Sequence, residues 1–85
     1  MISGAQIRAA RSLLGIPATE LATLSGVDLR TSQRFERAPG VPASRSGTLE
    51  RIRDTLQDHG IIFIGDPEGS PGVQLKKTRS KHDSQ

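Results

Sequence analysis

Between Leu21 and Phe35 the chain reads Leu-Ala, then Gly26-Val27, then a polar run closing on phenylalanine. A short helix, a glycine bend and a second short helix are the natural solution. Gly26 is the residue that ends a helix cheaply in the left-handed conformation. Asp28, two residues on, is a good N-cap. Leu21 and Ala22 face inward from the first helix, Val27 plugs the bend and Phe35 anchors the second helix. The small Ala22 allows a steep, close crossing. Everything else in the chain has to be arranged around this unit.

The flanking segments read clearly. Ser3 and Gln6 form an S-x-x-Q capping box with Ile2 and Ile7 at the staple positions, so a helix starts there. Ile7, Ala10, Leu13 and Leu14 supply its apolar stripe, and Gly15 stops it. The second helix spans about 17–25, with Pro17 at its start and Leu21, Ala22 and Leu24 as its apolar face. The third runs from the Asp28 cap to about Arg37. "APGVPASRSG" is a loop. A fourth helix runs from Ser44 or Ser46 to His59 on a stripe of Leu49, Ile52 and Leu56, with Gly60 as its stop. The pattern then changes to strand. "IIFI" and "VQL" flank the turn cluster "GDPEGSPG", which predicts a hairpin of Ile61–Ile64 with Val73–Leu75. The fold class expected is mainly α: four to five helices with a C-terminal β-hairpin. Residues 1–60 form the helical domain, 61–75 the hairpin, and 76–85 a disordered basic tail containing Lys76, Lys77, Arg79 and Lys81.

Composition narrows the function. An 85-residue chain with 33% hydrophobic content and two aromatics, Phe35 and Phe63, has a thin core. Sharing burial with a second copy is one remedy. A hairpin alone is marginal in water and exposes its edges. Ile61, Ile62, Phe63, Ile64, Val73 and Leu75 are therefore the candidate dimerisation residues, with the fourth helix beside Leu56 as the alternative or additional interface. The net charge is +3 with a pI near 10.2, which suits a nucleic acid or an acidic surface. There is no cysteine, and His59 and His82 lack metal-ligand spacing, so no metal site is expected. Asp54, Asp58 and His59 occupy the polar side and end of a helix and make no catalytic set. "GDPEGSPG" lacks a lysine and precedes no helix, so it reads as a turn rather than a phosphate loop. No enzyme activity, cofactor or small-molecule ligand is expected. The longest apolar run is far short of a membrane span and no leader pattern opens the chain, so the expected location is the cytoplasm.

The helix-glycine-helix unit is the helix-turn-helix pattern, whose second helix enters the DNA major groove. The segments "ISGAQIRAARSLLG", "ELATLSGVDLRTSQRFE" and "TLERIRDTL" resemble the lambda-repressor/Cro-type (XRE-like) helix-turn-helix regulators, including small restriction-modification controller proteins and phage repressors. The resemblance covers about residues 2–56. Two positions depart from the family pattern: Pro17-Ala18 replaces the usual Ser-Gln, and Ser32 stands where isoleucine or valine is usual.

Arginine binds guanine bidentately and glutamine reads adenine in the major groove. Arg30 and Arg34 are one turn apart on the third helix. Leu29, Arg30, Gln33 and Arg34 are therefore the expected base readers, and the resemblance points to Leu29, Arg30 and Arg34 as well. Phosphate contacts are expected from Thr19, Thr23, Thr31, Arg37, Ser44, Arg45, Ser46 and Thr48. These lie on the flanks and around the N-terminus of the fourth helix, where amides and the dipole favour anions. The resemblance also implies an ion pair between Arg11 and Glu36 that locks the third helix to the first. Arg8 lies one turn before Arg11, and the residues leave its role open between phosphate contact and support.

The expected function is sequence-specific DNA binding by a homodimeric transcription regulator on an inverted-repeat operator, with autoregulation suggested by the resemblance. The rival reading is an antitoxin- or antiactivator-like protein-interaction module on the same scaffold. RNA binding ranks lower because no aromatic stacking platform is present.

Overall fold

The computed structural model describes residues 1–44 and 47–76. Four helices come first: α1 (Gly4–Leu14), α2 (Ala18–Ser25), α3 (Leu29–Arg37) and α4 (Thr48–Asp58). An antiparallel hairpin follows, β1 (Ile61–Asp66) paired with β2 (Ser70–Leu75). The chain is mainly α, and no fifth helix occurs among the described residues. The expected disordered tail beyond Lys76, and Arg45 and Ser46 in the loop before α4, lie outside them.

Local chemistry sets most boundaries. Ser3 Oγ accepts from the Gln6 amide at 3.2 Å while Gln6 Oε1 accepts from the Ser3 amide at 2.9 Å, which closes the capping box of α1. Ile2 and Ile7 are both buried beside it. Gly15 and Gly26 end α1 and α2 at φ 71° and 73°, in the left-handed region. Pro17 is the N-cap of α2 rather than its first helical residue, and it has no side chain to offer the orphan amides. Asp28 caps α3, its carboxylate accepting from the Thr31 amide at 3.1 Å.

Two boundaries differ from expectation. Helix α4 begins at Thr48, not at Ser44 or Ser46. Gly47 precedes it at φ 72°, and a left-handed residue cannot lie inside a right-handed helix. Ser44 Oγ instead accepts from the Leu49 amide at 3.0 Å, capping the helix from outside. The strands are longer than their apolar runs, because backbone pairing continues through Gly65↔Pro71 and Asp66↔Ser70. Backbone hydrogen bonds do not need apolar side chains, so the turn contracts to residues 67–69.

One cluster forms the core: Ile2, Ile7 and Ala10 of the first segment, Leu21, Val27 and Phe35 of the middle, and Leu49, Ile52, Leu56 and Ile61 of the last. Leu13 and Leu24, expected in the apolar stripes, are exposed. At about 100° per residue, Leu13 lies about 120° around α1 from Ile7, whereas Ala10 and Leu14 stay close to it. Strand alternation turns Phe63, Val73 and Leu75 inward with Ile61, and Ile62 and Ile64 outward at 40% and 41% exposure. Gln6 ties the hairpin to α1: its amide donates to the carbonyls of Ile64 at 3.2 Å and Gly72 at 2.9 Å. At the hairpin tip, Glu68 accepts from the Val41 amide at 3.3 Å and so touches the α3–α4 loop.

The first turn of α1 abuts the C-terminal end of α3, and glycine makes this possible. A Cβ on Gly4 would lie 2.9 Å from Ala38 O, 3.0 Å from Glu36 O and nearer still to Phe35 O. The Gly4 amide also donates to Gly40 O at 3.1 Å. Backbone carbonyls at a helix end cannot retreat as a flexible side chain can. Gly4→Ala should therefore destabilise the chain by about 1–3 kcal/mol through overpacking. The check is a lower urea midpoint at unchanged slope.

Candidate nucleic-acid interface

Helix α3 sorts its residues sharply. Ser32, Phe35 and Glu36 are buried. Arg30, Gln33, Arg34 and Arg37 are exposed, and Leu29 and Thr31 are half-buried. Arg30, Arg34 and Arg37 fall at i, i+4 and i+7, one stripe along the helix. The result is an outward cationic ridge on a helix whose inward side carries only one large apolar group.

The Arg34 guanidinium carbon lies 5.1 Å from the centroid of the Phe35 ring, a cation–π distance. Arg34 also lines a cleft of about 400 Å³ with Thr31, Phe35, Ala43, Ser44 and Thr48. An expected base reader, Arg34, and three expected phosphate contacts, Thr31, Ser44 and Thr48, thus converge at one cleft between α3 and the start of α4. Thr19 and Thr23 lie exposed on α2, apart from this cleft, and Thr23 Oγ1 donates to Thr19 O at 3.1 Å. Arg37 is exposed at the last position of α3. Arg45 and Ser46 fall outside the described residues.

Arg11 and Glu36 form a two-pronged pair. Arg11 Nε and Nη2 each lie 2.8 Å from one oxygen of the Glu36 carboxylate. Arg11 Nη1 donates to Ile16 O at 3.1 Å, so the same guanidinium also fastens the α1–α2 corner. The hydrogen bond to Glu36 holds the Arg11 guanidinium above its ordinary pKa, against the opposing effect of burial. Arg8, one turn earlier, donates to the main-chain carbonyl of Glu36. Arg51, on α4, donates to the carbonyl of Gly26 in the bend before α3. Arg53 pairs with its neighbour Asp54 at 2.9 Å.

The arginines on and around α3 therefore divide by structure rather than by charge. Arg8, Arg11 and Arg51 face the scaffold around α3; Arg30, Arg34 and Arg37 face out from it. Of these, the supporting part of Arg51 carried no signal in the sequence, because its partner is a backbone carbonyl 25 residues away. Arg8 was visible only as a cation one turn from Arg11.

Asp28 adds a negative group at the N-terminus of α3. Its carboxyl is held below the ordinary value, first by the hydrogen bond from the Thr31 amide and in smaller part by the charge of Arg30. A depressed carboxyl stabilises the fold above its unfolded pKa, and that contribution is lost as the pH falls through the lowered value.

Among the described residues no three His, Cys, Asp or Glu side chains gather as a metal site. No helix there is long and apolar enough to cross a membrane. Comparison with protein-family models and with curated proteins gives no match.

Ser32 is fully buried and its hydroxyl has no hydrogen-bond partner. A buried unsatisfied group carries its desolvation penalty uncompensated. Ser32→Ala removes the group while keeping the helix, and should raise stability by about 1 kcal/mol. A urea midpoint equal to or below that of the parent would mean that the hydroxyl has a partner in solution.

Proposed function

We propose that this chain is a sequence-specific DNA-binding transcription regulator of the lambda-repressor/Cro kind, acting in the cytoplasm as a homodimer and regulating its own expression. The observation that carries the reading is α3: a short capped helix after a glycine bend, held by its inner side, with a ridge of Arg30, Arg34 and Arg37 on its outer side. A helix so poor in apolar anchors is a costly way to complete a core, and an economical way to present cations to a groove. Arg30 and Gln33, at the outer side of the first two turns, are the principal base readers in this reading, with Leu29 beside them. Arg34 leans across Phe35 toward the cleft with Thr31, Ser44 and Thr48, which suits a phosphate at the rim of the groove as well as a base.

Two-fold symmetry implies an inverted-repeat site with half-sites about 34 Å apart. For the dimer contact, the packing of Ile61, Phe63, Val73 and Leu75 against their own core leaves Ile62 and Ile64 as the outward apolar pair. These two are the residues through which a second copy would be met.

Selection of bound duplexes from a random pool should return a symmetric motif, and affinity should fall log-linearly with salt. Arg30→Ala should cost about 1–3 kcal/mol at the selected site and relax one base position. An equal loss on selected and random duplexes would demote that arginine to a phosphate contact. Failure to bind any duplex would favour the protein-interaction reading instead. Ile62→Lys together with Ile64→Lys should yield monomers by light scattering, since both side chains point away from the core; a persistent dimer would remove the hairpin from the interface.

A further inference from the structure

Two exposed arginines outside the outward ridge grip main-chain carbonyls on either side of α3, one in the bend before it and one in its last turn. Arg51 of α4 donates to the carbonyl of Gly26, in the bend before α3. Arg8 of α1 donates to the carbonyl of Glu36, in its last turn. Carbonyls at helix ends lack intrahelical partners and carry the negative end of the helix dipole, so a cation there is well matched. Gly26 is the residue that closes α2, and Glu36 belongs to the final turn of α3. Both arginines thus satisfy acceptors that otherwise face water.

The need for such grips follows from the inner side of α3. Of its buried residues only Phe35 is apolar; Ser32 has an unpartnered hydroxyl and Glu36 a charge. Apolar packing alone leaves this helix weakly seated. We propose that Arg8 and Arg51 are positioning residues that fix α3 through main-chain carbonyls, Arg8 of α1 at its last turn and Arg51 of α4 at the bend that leads into it, and so set the angle at which its outer side is presented. The geometry stands by itself; its functional meaning rests on the DNA-binding reading above. Because the clamps hold main-chain atoms, the outward residues of α3 are free to vary without unseating the helix. Arginine suits the task, since its planar fork is preorganised and its stem covers apolar surface on the way.

The test uses the full chain and single substitutions: Arg8→Met and Arg51→Met remove the donors, and Arg8→Lys and Arg51→Lys keep one. Amide hydrogen exchange is read by NMR without DNA. Each methionine variant should speed exchange of the α3 amides roughly tenfold, with α1 and α4 amides unchanged, and each lysine variant should recover most of the protection. Unchanged α3 amides would overturn the proposal. So would acceleration shared by all helices, or unfolding of a single variant, because either marks global rather than local support. A second readout separates positioning from phosphate contact. A lost phosphate contact lowers the salt slope by about one; a lost clamp should leave the slope on random duplex unaltered and reduce the preference for the selected site. A slope lowered by one would overturn the positioning role. If the parent chain binds no duplex, the DNA reading fails, and the exchange pattern alone decides the clamp.

Discussion

Glu36 carries a negative charge at 5% exposure, and the rest of the structure is arranged to make that tolerable. Its carboxylate takes both prongs of Arg11, and its carbonyl takes Arg8. An ion pair of this kind adds little net stability over an apolar pair, because desolvation offsets most of the attraction. What it adds is direction. Two planar groups meeting on two hydrogen bonds define an orientation that a leucine contact does not. Helix α3 is therefore fixed to α1 by geometry more than by buried area.

That arrangement accounts for several features that look like faults in isolation. Gly4 is a poor helix former, yet α1 starts with it, because any larger residue would push against the carbonyls that end α3. Ser32 leaves a hydroxyl unpartnered where an aliphatic side chain would pack. The polar grips on the bend before α3 and on its last turn compensate for that loss without adding an apolar residue to its buried side. Charges that support α3 and charges that project from it thus lie close together, and only packing tells them apart. Charge alone makes Arg8 and Arg11 look like Arg30 and Arg34.

Much of this was legible in sequence because it depends on neighbours. The capping box of α1, the Asp28 cap and the glycine stops after α1 and α2 are interactions within a few residues, so spacing alone predicts them. Alternation sorts the strand residues into two sides, but does not say which side faces the core. The Arg11–Glu36 pair, 25 residues apart, came only through a family resemblance. The start of α4 is not legible in this way, because the serines before it are good caps by type and nothing in their spacing says that Gly47 turns left-handed. Leu13 and Leu24 are exposed although a leucine near an apolar stripe is indistinguishable by type from one within it.

By itself, then, the sequence determined the order of the elements, the N-caps of α1 and α3, the glycine stops of α1 and α2, and the polar character of α3. These depend on backbone conformation and on side chains within one turn of each other. Tertiary structure alone decided which arginines hold α3 and which project from it. It also decided that Gly4 must be glycine, that the hairpin keeps Ile61 and Phe63 for the core, and that Arg34 meets Ser44 and Thr48 at one cleft. Each of these is a meeting of surfaces distant along the chain, often on a backbone carbonyl. A backbone carbonyl is the same at every residue, so no pattern of side chains announces where such a contact will form.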